Sequence, residues 1–144
     1  MRLTNKSNLP EVIMNAVAND PCSSKGSDIS TTTLIAPPRI RVLRNEHEND
    51  IEEDVADKIF ALIGSSVHHM IERAKARKDL AEKRLFYKGK ETNGWILSGQ
   101  FDLLSKGVLI DFKVTSAWSV LEAMRSGKSE WEQQLNVLDF LCRN

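Results

Sequence analysis

Cysteine is scarce in this chain: Cys22 and Cys142 are the only two among 144 residues. Two thiolates fall short of the four that a structural zinc site or an iron–sulfur cluster usually takes from one chain, so both are expected as free thiols in a reducing compartment. Long apolar runs are missing as well. None approaches the roughly 20 residues that cross a bilayer, which argues against a transmembrane protein. The opening Met-Arg-Leu-Thr-Asn-Lys-Ser-Asn has no signal-peptide-like apolar stretch, and a cytoplasmic location is expected, in a bacterial or phage-infected cell. Internal repeats and low-complexity tracts are also absent. What remains is 41% hydrophobic, enough for a core, in a length that fits one domain.

Net charge is nil, with 20 Lys and Arg against 20 Asp and Glu, but the charge is segregated. Glu46, Glu48, Asp50, Glu52, Glu53, Asp54 and Asp57 form an acidic block opposed by Arg44. A basic block follows: Arg73, Lys75, Arg77, Lys78, Lys83, Arg84, Lys88 and Lys90, opposed by Asp79 and Glu82. Such a block attracts a phosphate backbone locally even in a neutral protein. On pattern alone, a solvated helix face explains it equally well.

Residues 1–29, rich in Ser, Asn, Asp and Lys, read as a mobile arm with one short helix, Asn8 capping and Pro10 in its first turn. Residues 30–144 read as one domain. The Pro37-Pro38 pair is expected to stop a turn begun at Ser30–Leu34, with extended chain through Ile40 and Val42. A long helix is expected from about Asp50 to Lys78. Val55, Ile59, Phe60, Ile63, Val67, Met70, Ile71 and Ala74 would form its apolar stripe, and Gly64 would mark a close backbone approach.

The period then changes. Arg84–Lys88, Trp95–Leu104 and Val108–Thr115 read as three strands of an antiparallel meander, joined at Lys90–Gly94 and Ser105–Gly107. Two helices close the chain. Ser116–Arg125 stops at Gly127, and a Ser129/Glu132 capping box opens the last one. The class is therefore α+β or α/β, a sheet covered by helices on at least one face.

Chemistry concentrates on a few positions. In Leu109-Ile110-Asp111-Phe112-Lys113-Val114, alternation sets Asp111 and Lys113 on one face of an otherwise apolar strand. Burying them is costly unless they are paired or used. Asp111 could hold a divalent metal, and Lys113 could stabilise phosphate charge or assist a water. A cross-strand ion pair is the competing explanation. In Gly99-Gln100-Phe101-Asp102, the short turn brings Asp102 towards Asp111, where two carboxylates repel unless a cation sits between them. Hard oxygen ligands favour Mg²⁺ or Mn²⁺. Asp102 could equally be an acid that merely flanks the turn. His68 and Glu72 stand at i and i+4 on the long helix, a common surface pairing, with His69 turned about 100° away. Gln134, early in the last helix, could orient a water or a phosphate, or be a surface amide.

In order, these segments resemble the PD-(D/E)xK nuclease superfamily, in its RecB-like exonuclease branch, which includes phage recombination exonucleases and CRISPR adaptation nucleases. That branch reads G-x-x-x-H-x-x-x-E, then G-x-x-D, D-x-K and a Q-x-x-x-Y helix. Gly64, His68 and Glu72 match the first element, Gly99 and Asp102 the second, Asp111 and Lys113 the third, and Gln134 the fourth. Thr32–Leu43 is similar to the lead-in of phage-type members.

The resemblance implies a restriction-endonuclease-like core and a Mg²⁺- or Mn²⁺-dependent DNA nuclease, an exonuclease of recombination, repair or phage DNA processing. It implies metal ligation by His68, Asp102, Asp111 and the Phe112 carbonyl, with Glu72 in support. Lys113 would assist the water, and Gln134 would fix the site or the DNA. Arg73, Lys75, Arg77, Lys78, Lys83 and Arg84 would lie along the DNA path. Three departures stand out. Leu138 occupies the place of the family's Tyr, and the iron–sulfur cysteines are absent, so no such cluster is expected. The family's final core strand is also missing after the Gln helix. The chain is thus expected to be truncated, compact, or completed at its sheet edge by self-association or a partner protein. The alternatives are a catalytically impaired nuclease-fold module that binds DNA or protein, and a small α/β interaction domain.

Overall fold

A computed structural model of the chain describes residues 2–19, 26–74 and 77–144. In chain order its elements are β1 (Arg2–Thr4), α1 (Glu11–Ala18), β2 (Ile29–Ser30), α2 (Thr31–Ile35), α3 (Pro38–Glu46), β3 (Glu52–Asp54), a 3₁₀ turn (Val55–Lys58), α4 (Ile59–Ala74), β4 (Leu80–Tyr87), β5 (Leu97–Ser105), β6 (Val108–Ile110), α5 (Ala117–Ser126) and α6 (Ser129–Arg143). Helices flank open sheets, a mixed α/β arrangement compatible with the α+β class.

The expected meander is present as antiparallel β4–β5–β6. β4 takes one edge of β5 from the Leu80–Leu104 pair to the Tyr87–Leu97 pair. The other edge is shared. β6 pairs with Leu103–Ser105, and β2 pairs in parallel with Leu97 and Ser98. Lys106 and Gly107, both at positive φ, make the tight turn between β5 and β6.

Alternation along β5 sets Leu97, Gly99 and Phe101 on one face and Ser98, Gln100 and Asp102 on the other. The first face carries the core, in which Leu97 and Phe101 pack with Leu138 and Leu141 of α6. Gly99 is required there. A Cβ on it would stand 2.5 Å from Thr31 Oγ1, 2.6 Å from Leu138 Cδ2 and 2.7 Å from Leu141 Cδ1. Leu138, at the position where the nuclease pattern of the resemblance has Tyr, is fully buried. Gln134 lies one turn before it on the same face of α6, so the packing that seats Leu138 on Gly99 also carries Gln134 to the end of β6. α4 packs against β4 and β5.

Several local expectations are corrected. The arm does contain its short helix, α1, but β1 also anchors the segment by pairing in parallel with β3. Thr4 Oγ1 and the Lys6 N–H both donate to Asp54 Oδ2, at 2.9 and 2.8 Å. Asn8 is not the cap. It sits at φ 53°, and the Asn5 amide instead bonds both the N–H and the carbonyl of Leu9. Pro38 starts α3 where extended chain was expected, because proline's fixed φ suits the first helical turn. The long helix begins only at Ile59. Asp54 ends β3 and caps the 3₁₀ turn through the Ala56 N–H, and those backbone donors hold its carboxyl below the ordinary range. Nothing lies within 4 Å of a Cβ placed on Gly64, and Phe60, Ile63 and Met70 of the expected stripe are exposed. Lys128, which makes no side-chain capping bond, takes the N-cap position of α6 instead of a Ser129/Glu132 box. Cys142 is a free, exposed thiol, and Cys22 lies outside the described residues.

Gly99→Ala forces Leu138 and Leu141 off the sheet. The expected cost is about 1–3 kcal/mol of overpacking, read as a lower Cm in urea at unchanged m; an unchanged Cm would show that α6 is not seated on this backbone.

Candidate metal centre

Register brings the acids together. Extending the β4–β5 pairing through its flanking pairs, Ala81–Leu103 and Lys83–Phe101, sets Glu82 opposite Asp102. Extending the β5–β6 pairing one residue beyond Leu103–Ile110 sets Asp111 opposite Asp102 on the other side. Like charges directly across a ladder destabilise it. Two irregularities accompany this row. Glu82 sits at φ 52°, an uncommon conformation for a residue with a side chain, and regular β6 stops at Ile110 rather than at the expected Thr115. Past that end, the Phe112 N–H donates to Asp102 Oδ2 at 2.5 Å.

Two polar clusters meet at Asp102. In the first, His68 Nδ1 from α4 lies 2.8 Å from Glu82 Oε1 and 3.4 Å from Asp102 Oδ1. In the second, Lys113 Nζ lies 2.7 Å from Asp111 Oδ2 and donates to Gln134 Oε1 at 2.9 Å, while Gln134 Nε2 donates to Asp111 Oδ1 at 3.3 Å. The structure therefore brings His68 of α4 and Gln134 of α6 to Asp102, Asp111 and Lys113 of the β5–β6 region. Burial pushes the Asp102 carboxyl above its ordinary range, and the charges of Asp111 and Glu82 push it further; the Phe112 N–H and His68 oppose the rise.

The donor set differs from the sequence expectation: Glu82 joins His68 and Asp102, and Asp111 and the Phe112 carbonyl do not. One ligand atom each from His68, Glu82 and Asp102 lie within 4.8 Å of one another, a nitrogen and two carboxylate oxygens. Bonds of about 2.0–2.1 Å would set adjacent donors about 3 Å apart and opposite ones about 4 Å apart, so the group would have to contract to hold Mg²⁺ or a similar ion. Asp111 is engaged by Lys113 and Gln134, and the contact seen for Phe112 is its N–H. Glu82 escaped sequence reading because it lies inside the basic block, and only β4–β5 pairing reveals its neighbours. Glu72 does not join the group. It is half exposed and 4.0 Å from His69, the residue expected to face away.

The basic residues divide. Arg77 and Lys78 line a cleft of about 500 Å³ together with Lys106, which lies on the β5–β6 turn and was not singled out in the sequence. Leu80 and Leu104 also line this cleft, two residues along their strands from Glu82 and Asp102, so it opens roughly 7 Å from the acids. Arg73 lies in the last turn of α4 and is exposed, and Lys83 is exposed on the face of β4 opposite Arg84. Arg84 is turned inward, donating to Ser98 Oγ and Gln100 Oε1. Lys75 lies outside the described residues. A larger apolar cavity of about 660 Å³, lined by Ile29, Leu34, Trp95, Leu97, Val137 and Phe140 among others, includes none of the candidate residues.

No protein-family model matches the chain, and no curated protein or solved structure matches it.

A carboxyl whose value is raised on folding binds its proton more tightly in the native state. Stability is then lost as pH rises from the ordinary value of 3.8 through the raised one. With chelator present, Asp102→Asn is therefore expected to melt above the parent at pH 7, with the gap closing towards pH 4. Equal melting temperatures at pH 7 would refute that penalty.

Proposed function

We propose that the chain is a divalent-metal-dependent deoxyribonuclease of the PD-(D/E)xK kind, with a restriction-endonuclease-like core, that hydrolyses phosphodiester bonds as an exonuclease in the cytoplasm of a bacterial or phage-infected cell. The observation that carries this reading is the convergence of His68, Glu82 and Asp102 beside the Asp111–Lys113–Gln134 ring. A bound Mg²⁺ or Mn²⁺ would lower the pKa of its water and neutralise charge on the phosphodiester.

Around that ion, the protein's own groups supply position and charge. His68, Glu82 and Asp102 are the ligands. Asp111 and Gln134 together aim the Lys113 ammonium, which can donate to a phosphate oxygen or to the attacking water. Held between a carboxylate and an amide, it loses little freedom when substrate arrives. Arg77, Lys78 and Lys106 give the DNA backbone a cationic approach about two strand residues from the acids. Among the described residues no helix is long and apolar enough to cross a membrane.

End-labelled linear DNA with Mn²⁺ tests the chemistry. Asp111→Ala and Lys113→Ala are each expected to slow cleavage about 10²–10³-fold, the usual loss on removing one preorganised charge-stabilising group. Cleavage at the parental rate in both variants would overturn the assignment. Salt-dependent binding with no cleavage by the parent would favour the impaired binding module instead.

A further inference from the structure

We propose that Gln100, steered by Arg84, is the positioning residue that fixes Glu82 as a one-oxygen metal ligand. The proposal rests on the divalent-cation reading of the His68–Glu82–Asp102 group, and it concerns residues outside that group. Gln100 Nε2 donates to Glu82 Oε2 at 2.6 Å, which holds the carboxylate on that side and turns Oε1 towards His68 Nδ1, 2.8 Å away, where an ion would take the place of that contact. The amide cannot turn round. Arg84 Nη2 donates to Gln100 Oε1 at 3.2 Å, and a guanidinium has donors only, so the amide oxygen must face Arg84 and its NH₂ must face Glu82.

Arg84 is itself held. Its Nη1 donates to Ser98 Oγ at 3.3 Å, and Ser98 is fully buried and bonds Ser27 Oγ at 2.8 Å. Arg84 and Gln100 are directly paired across β4 and β5, so sheet register sets their contact rather than a chance meeting of surface side chains. The chain Ser98–Arg84–Gln100–Glu82 therefore runs along one sheet face into the site, ending on the residue whose backbone is strained. A glutamate at φ 52° has lost its ladder partner, and Gln100 supplies the side-chain contact that keeps its carboxylate aimed. Without it, Glu82 can rotate or present both oxygens, and the site loses its fixed donor count.

Calorimetric titration of the metal-free full chain with Mn²⁺ provides the test, alongside melting curves in chelator. Gln100→Leu removes both the donor and the acceptor and is expected to weaken Mn²⁺ binding about 10–100-fold, the usual effect of losing an outer-shell partner, while the chelator melting temperature changes little. Arg84→Lys keeps the charge but not the fork, and is expected to weaken binding in the same direction. It decides the matter should Gln100→Leu fail to fold. Parental Mn²⁺ affinity in the folded variants, with binding intact in the parent, would overturn the positioning role and leave the cation site standing. Absence of Mn²⁺ binding in the parent would overturn the cation reading itself, and the role with it.

Discussion

Two carboxylates on adjacent strands, and a third just past the end of the next, govern this structure. Glu82, Asp102 and Asp111 fall on one line across β4, β5 and β6 when the registers are extended, and an uncompensated row of that kind would push the sheet apart. The chain answers with a histidine and a lysine from opposite directions. His68 arrives from α4 between the first two acids, and Lys113 folds back onto the third. The Phe112 N–H joins the halves at Asp102. Ending β6 early and bending the backbone at Glu82 are the local costs of this row, and among the described residues no buried side-chain polar atom is left unpaired.

The scaffold makes such a concentration of charge tenable by separating its two faces. Leu97, Phe101, Leu138 and Leu141 take one side of β5, and Ser98, Gln100 and Asp102 take the other. Gly99 links the two functions, because only its missing side chain lets α6 lie close enough for Leu138 to be buried and Gln134 to reach Asp111. Leu138 thus serves packing at a position where a tyrosine would bring a hydroxyl in need of a partner.

Much of the site was legible because its residues sit on short periodic segments. Asp111 and Lys113 two apart on a strand, and Gly99 and Asp102 before a tight turn, are local patterns; so is a histidine on a helix that must cover the meander. Glu82 was not legible. Its role depends on which residue of a separate strand lies opposite, and its sequence neighbours Lys83 and Arg84 make it look like one counter-charge in a basic run. Arg84 misled for the mirror reason: its charge suggested nucleic acid, while its register partner Gln100 draws it inward. The start of α3 was misread because Pro37-Pro38 serves as well for opening a helix as for ending one. The anchoring of residues 2–6 rests on Asp54, about fifty positions away, which no local window contains.

The kink at Glu82 also lies on the outermost strand of the main sheet, since β4 pairs with β5 and with no further strand among the described residues. An eight-residue rim with free amides and carbonyls is ordinarily an invitation to intermolecular stacking. Here the left-handed residue breaks that rim into a two-residue and a five-residue stretch, and the exposed ammonium of Lys83 stands beside the break. The distortion beside the acids therefore also shortens the regular stretch of backbone that this open rim offers to another strand.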